Sequence, residues 1–220
     1  MNKIIAANWK MNGNISLLDS FMDSIHNENF ILAVPSVYIA YAGEKRKKFI
    51  LAAQDCSVFE GYGAHTGEIS AEMIKEAGAE YVILGHSERR ATSNFDNVNS
   101  VYKKLNNAIN AGLKVILCVD EDFESLLDQK TKELIKGNLN KIVVAYEPMS
   151  AIGTGKLPSA TDIETAVLDI KNKCYNVKTL YGGSVNAENI RKILGINVVD
   201  GVLIGGSSLR LDEIKKFLTN

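Results

Sequence analysis

The chain alternates short, unbroken apolar runs with longer stretches of helical periodicity. Eight runs read as strands, over residues 4–8, 30–34, 50–54, 81–84, 114–119, 141–146, 177–181 and 201–204. They are continuously apolar rather than alternating, which is the pattern of parallel strands covered on both faces. Helices are predicted over 15–25, 36–46, 70–77, 97–110, 122–136, 160–174, 186–193 and 210–218. Apolar side chains recur there at three- and four-residue spacing, as in Leu17, Leu18, Phe21 and Ile25, or Ile163, Ala166, Val167 and Ile170. Ser36, Ser70, Asn97, Ser159 and Asn186 stand where helix N-caps are needed.

Eight strand–helix units in 220 residues predict one α/β domain over residues 1–220, a (β/α)8 barrel. A doubly wound open sheet is the competing layout. It usually needs fewer strands, and the GxGxxG turn that would follow its first strand is absent. In a barrel, chemistry sits at the C-terminal strand ends and in the loops that follow them. Polar residues at those places are therefore the candidates.

Composition narrows the classes of function. Hydrophobic residues make up 46% and charged residues 23%, an ordinary soluble balance. The formal net charge of -1 gives no ground for a nucleic-acid or membrane partner. The basic run Lys45 to Lys48 reads as the solvated end of a helix. No apolar stretch approaches the length of a membrane span, and the opening MNKIIAANW is interrupted too soon for a signal peptide. Cys56, Cys118 and Cys174 are widely spaced, without metal-ligand spacing, and predict a reducing, cytoplasmic setting.

Lys10 follows the first strand in Asn8-Trp9-Lys10, where a fixed ammonium would hold phosphate or developing negative charge. His86 follows the fourth strand, in LGHSERR, where a neutral imidazole N–H would polarise a carbonyl. Glu147 follows the sixth, before Pro148 and a small-residue loop through Lys156 suited to closure. Glycine pairs follow the last two strands, Gly182-Gly183 beside Ser184 and Gly205-Gly206. Those are the usual phosphate-binding positions of a barrel. Glu68, in the glycine-flanked loop 63–68, reads as a loop stabiliser. Two other readings stay open on these residues: a different phosphate-binding barrel enzyme, such as an epimerase or lyase, and a non-catalytic sugar-phosphate binder.

The segments AANWKMN, GAHTGEIS, LGHSERR, AYEPMSAIGTGK, LYGGSVN and GVLIGGSSL resemble the triosephosphate isomerases in content, order and spacing, over residues 3–218. The resemblance is to a shortened, bacterial-type member. It implies interconversion of D-glyceraldehyde 3-phosphate and dihydroxyacetone phosphate, with no cofactor and no metal. It further implies Glu147 as base, His86 as electrophile, Lys10 as electrostatic group, Asn8 as an orienting group and Glu88 as a carboxylate near Lys10. Residues 148–156 would form a lid, and Gly153, Ser184, Gly205 and Gly206 would contact the phosphate. A homodimer is also implied, with Thr66 reaching the partner's site and Glu68 and Arg89 anchoring the loop that carries it.

The chain departs from the family pattern in places. Ser150 stands where a tryptophan is usual at the base of the lid, and Leu157-Pro158 forms an unusual far hinge. His65 replaces a bulky aromatic or apolar residue in the interface loop, and Asp120 replaces a glycine before Glu121, which predicts a changed loop. The chain is also roughly 30 residues shorter than most members, against about 250 for a typical barrel of this kind. The shortening falls around the first helix and within 122–140.

Overall fold

Along each apolar run, successive side chains point to opposite faces, so every strand has to bury two surfaces at once. The computed structural model describes residues 3–45, 48–92, 96–151 and 157–218. In it eight parallel strands solve that problem by closing on themselves: β1 (Ile4–Asn8), β2 (Phe30–Ala33), β3 (Ile50–Ala53), β4 (Tyr81–Leu84), β5 (Lys114–Val119), β6 (Ile142–Tyr146), β7 (Lys178–Tyr181) and β8 (Gly201–Ile204). The order is sequential, and β8 returns to β1 with Ile4 opposite Gly201 and Ala7 opposite Ile204.

One face of each strand fills the barrel. Ala6, Ile31, Ile83, Ile116, Val143 and Leu203 belong to this inner cluster. The alternate residues, such as Ile5, Leu32, Val115 and Val144, join a second cluster with the helices. The helices are α1 (Ile15–Ser24), α2 (Ile39–Lys45), α3 (Ala71–Glu76), α4 (Ser87–Thr92), α5 (Val98–Asn110), α6 (Phe123–Leu126), α7 (Gln129–Gly137), α8 (Ala160–Lys173), α9 (Ile190–Leu194) and α10 (Leu211–Leu218). Leu18 and Phe21 of α1, Val101 and Leu105 of α5, and Val167 and Ile170 of α8 are fully buried against the sheet. Each such side chain stabilises the fold by about 1.5–3 kcal/mol. Trp9, just past β1, packs edge-on against Phe21 at 5.2 Å and donates from Nε1 to the Ser208 carbonyl at 3.2 Å.

The predicted barrel and its eight strands are present, with strand ends shifted by a residue in places. The caps at Ser70, Asn97 and Ser159 are present, and Ser159 forms a full capping box with Asp162. Three helix expectations are corrected. The stretch predicted as 36–46 opens as a 3-10 turn over Ser36–Tyr38, with Pro35 at the cap position, so Ser36 caps nothing and the α-helix starts at Ile39. The stretch 122–136 is two helices, because Leu127 leaves helical geometry and Asp128 caps a new start by accepting from Thr131 N at 2.9 Å. Asn186 does not cap a helix directly. Its side chain accepts from Glu188 N and Asn189 N in a turn, and α9 begins only at Ile190. Helix α4, directly after His86, was not among the predicted helices. Among the described residues no helix is long and apolar enough to cross a membrane.

Candidate active site

The inward positions continue beyond the strand ends. On β6 Val143 and Ala145 face the barrel interior, and Glu147 extends the same series. On β1, Ala6 is followed by Asn8 in the same way. The periodicity that builds the core therefore also delivers polar groups to the mouth of the barrel.

Glu147 is 1% exposed. Its backbone N–H donates to the Val119 carbonyl at 2.7 Å, which continues the β5–β6 pairing. Its Oε2 accepts from the Ser87 N–H at 3.2 Å, and its Oε1 lies 3.2 Å from His86 Nε2. Burial and, after it, this carboxylate push the Cys118 thiol well above its ordinary range, so Cys118 is a neutral neighbour rather than a nucleophile.

His86 reaches the site because Gly85 turns the chain with φ +68, a conformation that favours glycine, and α4 starts at once. The Glu88 N–H donates to His86 Nδ1 at 3.2 Å. An imidazole that accepts at Nδ1 carries its proton at Nε2, the atom facing Glu147.

Lys10 adopts φ 54 and is held on both sides. Its N–H donates to Asn8 Oδ1 at 2.9 Å, and its carbonyl accepts from Gln54 Nε2 at 2.9 Å. Lys10 Nζ lies 2.5 Å from Glu88 Oε1. Asn8, Lys10, His86 and Glu147 line one cavity of about 250 Å³ together with Gly182, Ser184, Gly205 and Gly206. Ser184 Oγ donates to the Ala151 carbonyl at 2.5 Å, at the start of the predicted lid. Gly153 and the rest of 152–156 lie outside the described residues. The start of the expected lid is a 3-10 turn over Met149–Ala151, and Glu121 accepts from its Met149 N–H at 3.0 Å. Glu121 thus holds the base of the loop in which Ser150 stands.

A second cavity of about 670 Å³ shares Asn8, Lys10 and His86 with the first and is lined further by Met11, Gln54, Val58, Glu68, Ile69 and Arg89 among others. Thr66 and Glu68 are exposed on the protruding loop. That loop is braced by the stacking of Phe59 on His65 at 3.6 Å and against α3, where Glu72 accepts from Gly61 N and Glu76 accepts from the Tyr62 hydroxyl at 2.9 Å. Arg89 faces the same cavity as Glu68 and pairs with Asp55 at 2.7 Å and Asp96 at 2.8 Å. The nearly buried Lys104 bridges the same two aspartates.

A family model described as triosephosphate isomerase matches residues 3–220. The chain belongs to the triosephosphate isomerase family. Curated relatives carrying that name include one from Wolbachia sp. subsp. Brugia malayi (strain TRS), 38% identical over 231 residues that cover 99% of this chain and 97% of the relative. Another, from Taenia solium, is 38% identical over 239 residues, covering 96% of this chain and 95% of its own length. The chain is accordingly an isomerase, and its activity is of the family's class, enediol isomerisation of triose phosphates.

Several residues of this isomerase's site escaped the sequence reading. Gln54 directly follows β3, so the strand-end rule alone would have found it. The Ser87 amide acts through its backbone and leaves no residue-type signal. Lys104 and Asp55 are 49 positions apart, and Arg90 and Asp120 are 30 apart, so only the fold pairs them.

Proposed function

We propose that the chain interconverts D-glyceraldehyde 3-phosphate and dihydroxyacetone phosphate with Glu147 as base, His86 as electrophile and Lys10 as electrostatic stabiliser. The observation that carries this reading is the convergence of all three on one cavity that also presents Ser184, Gly205 and Gly206. The two glycines and Ser184, joined by Gly153 of the lid, bind the phosphate. Asn8 fixes the Lys10 backbone, and Glu88 sets the resting place of its ammonium.

Glu147 takes the proton from the carbon next to the substrate carbonyl, and the electron pair moves into a carbon–carbon double bond as charge reaches the carbonyl oxygen. His86 Nε2–H and Lys10 stabilise that oxygen. The proton of the adjacent hydroxyl then passes to that oxygen, and protonated Glu147 gives its proton to the former carbonyl carbon, which leaves the carbonyl on the neighbouring carbon and Glu147 again a carboxylate. His86 Nε2 faces Glu147 at 3.2 Å, so substrate must replace the carboxylate as its partner. No cofactor or metal enters this scheme.

The active form is a homodimer, a shortened bacterial-type member of one catalytic domain over residues 1–220 in the cytoplasm. Met11 and Ile69, which line the larger cavity and are 95% and 40% exposed, support a partner surface there. Thr66 of one copy would reach the Lys10 side of the other, with Glu68 and Arg89 anchoring the loop. Three buried free thiols are in keeping with a reducing compartment.

Turnover in deuterium oxide tests the chemistry. Product should carry solvent deuterium at the newly protonated carbon, and Glu147→Gln should lose both turnover and exchange. A Glu147→Gln enzyme that keeps wild-type turnover and exchange would contradict Glu147 as the base.

A further inference from the structure

We propose that Asp120 is a positioning residue for the isomerisation, its ion pair with Arg90 tying the turn that bears His86 to the loop that sets the base of the lid. The inference rests on the roles of His86 and Glu147 proposed above. Arg90 Nε donates to the carbonyl of Gly85, the residue before His86, at 2.7 Å. Its Nη1 donates to Asp120 Oδ2 at 2.8 Å, with the two side chains 19% and 17% exposed. Asp120 Oδ1 accepts from the Asp122 N–H at 2.9 Å, so both carboxylate oxygens are engaged. The next residue, Glu121, holds the Met149 N–H at 3.0 Å, two positions beyond Glu147. Val119, on the other side of Asp120, accepts from the Glu147 N–H at 2.7 Å.

These bonds make a closed circuit from His86 through Gly85, Arg90, Asp120 and Val119 to Glu147. Asp120 is absent from the lining of both cavities, so it acts through other residues and not on substrate. Among the described residues Arg90 Nη2 is buried without a hydrogen-bond partner, and Asp120 is the carboxylate paired with this guanidinium. Without the Asp120 charge, the nearest acid along the chain is Glu121. A guanidinium drawn toward Glu121 would pull it from the Met149 amide and shift Gly85 and His86 with it. Displacements of about 1 Å at reacting groups reduce rates by up to about a hundredfold.

The test compares wild type, Asp120→Asn and Asp120→Glu for kcat, KM for D-glyceraldehyde 3-phosphate, inhibition by inorganic phosphate and thermal midpoint. Asp120→Asn keeps the size and an acceptor for Asp122 N. The expected result is a fall in kcat of about tenfold with KM and phosphate inhibition within about twofold, because Ser184, Gly205 and Gly206, three of the four proposed phosphate contacts, lie outside the circuit. Asp120→Glu, which keeps the charge, should recover most of the loss. An Asp120→Asn enzyme with wild-type kcat would overturn the proposal, and so would a parallel loss of kcat and phosphate binding. If Asp120→Asn does not accumulate folded, Arg90→Lys carries the same prediction, since it keeps the charge but breaks the fork between Gly85 and Asp120. An inactive wild type would sink the isomerase roles and this inference together. An active wild type with an unaffected Asp120→Asn would sink this inference alone.

Discussion

The Glu147 carboxylate rests on the backbone amide of Ser87, Oε2 to N 3.2 Å, while its Oε1 faces His86 Nε2. The proposed base is therefore parked by the same turn that carries the proposed electrophile. Its side chain is closed in from the other side by Gly182, where an added Cβ would stand 2.9 Å from Glu147 Cγ. The Glu147 side chain thus has a defined resting place and a narrow space in which to move.

Gly182→Ala should displace that side chain. We expect kcat to fall at least tenfold, while the overpacking destabilises the fold by about 1–3 kcal/mol. Steady-state kinetics beside urea unfolding checks both. A variant with wild-type kcat would show that the base tolerates the crowding.

Lys104 donates to Asp96 at 2.5 Å and to both Asp55 oxygens at 2.8 and 2.9 Å, with its side chain 4% exposed. Lys104→Met keeps most of the volume but leaves Asp96, wholly buried, with Arg89 as its remaining cation. Removing one partner of a buried pair costs about 3–5 kcal/mol, and the retained Arg89 contact places the expected loss near the lower end. Urea unfolding measures it. A loss under about 1 kcal/mol would mean that the cluster is effectively solvated.

Burial pushes the Cys56 thiol up to about 12 and the Cys174 thiol up to about 11, from an ordinary 9.0. The folded chain thus holds these protons more tightly than the unfolded one. Their contribution to stability is complete below pH 9.0 and is lost as pH rises toward 11 and 12. Denaturant midpoints should decline across that alkaline window. A thiol reagent near pH 8, where unfolded thiols ionise readily, should label native protein far more slowly than unfolded protein. Equal labelling rates would contradict the burial.

Much of this was legible in the sequence, for physical reasons that differ by element. The strands announced themselves because both faces of a closed parallel sheet are buried, which leaves unbroken runs such as IVVAY in β6. Lys10, His86 and Glu147 stood out because each is a charged or titratable residue within two positions of the end of such a run, where the chain reaches the barrel mouth. The break at Leu127 was hidden, since Leu126 and Leu127 are both buried and prolong an apolar pattern across two helices. Ser36 carried a cap-forming side chain, but the chain around Pro35 enters a 3-10 turn and leaves the cap unused. Asp120 could be recognised as a departure and its loop as altered, yet its partner Arg90 emerges only when β4 and β5 pair.

The most direct test of the central claim is kcat/KM for D-glyceraldehyde 3-phosphate on wild type and Glu147→Asp side by side. Shortening the side chain by one methylene leaves the charge but draws the carboxylate back by about 1 Å, enough to reduce the rate by about a hundredfold. The account predicts a fast wild type and a loss of that size carried in kcat. A wild type that turns over slowly and is unchanged by the substitution would contradict Glu147 as the base.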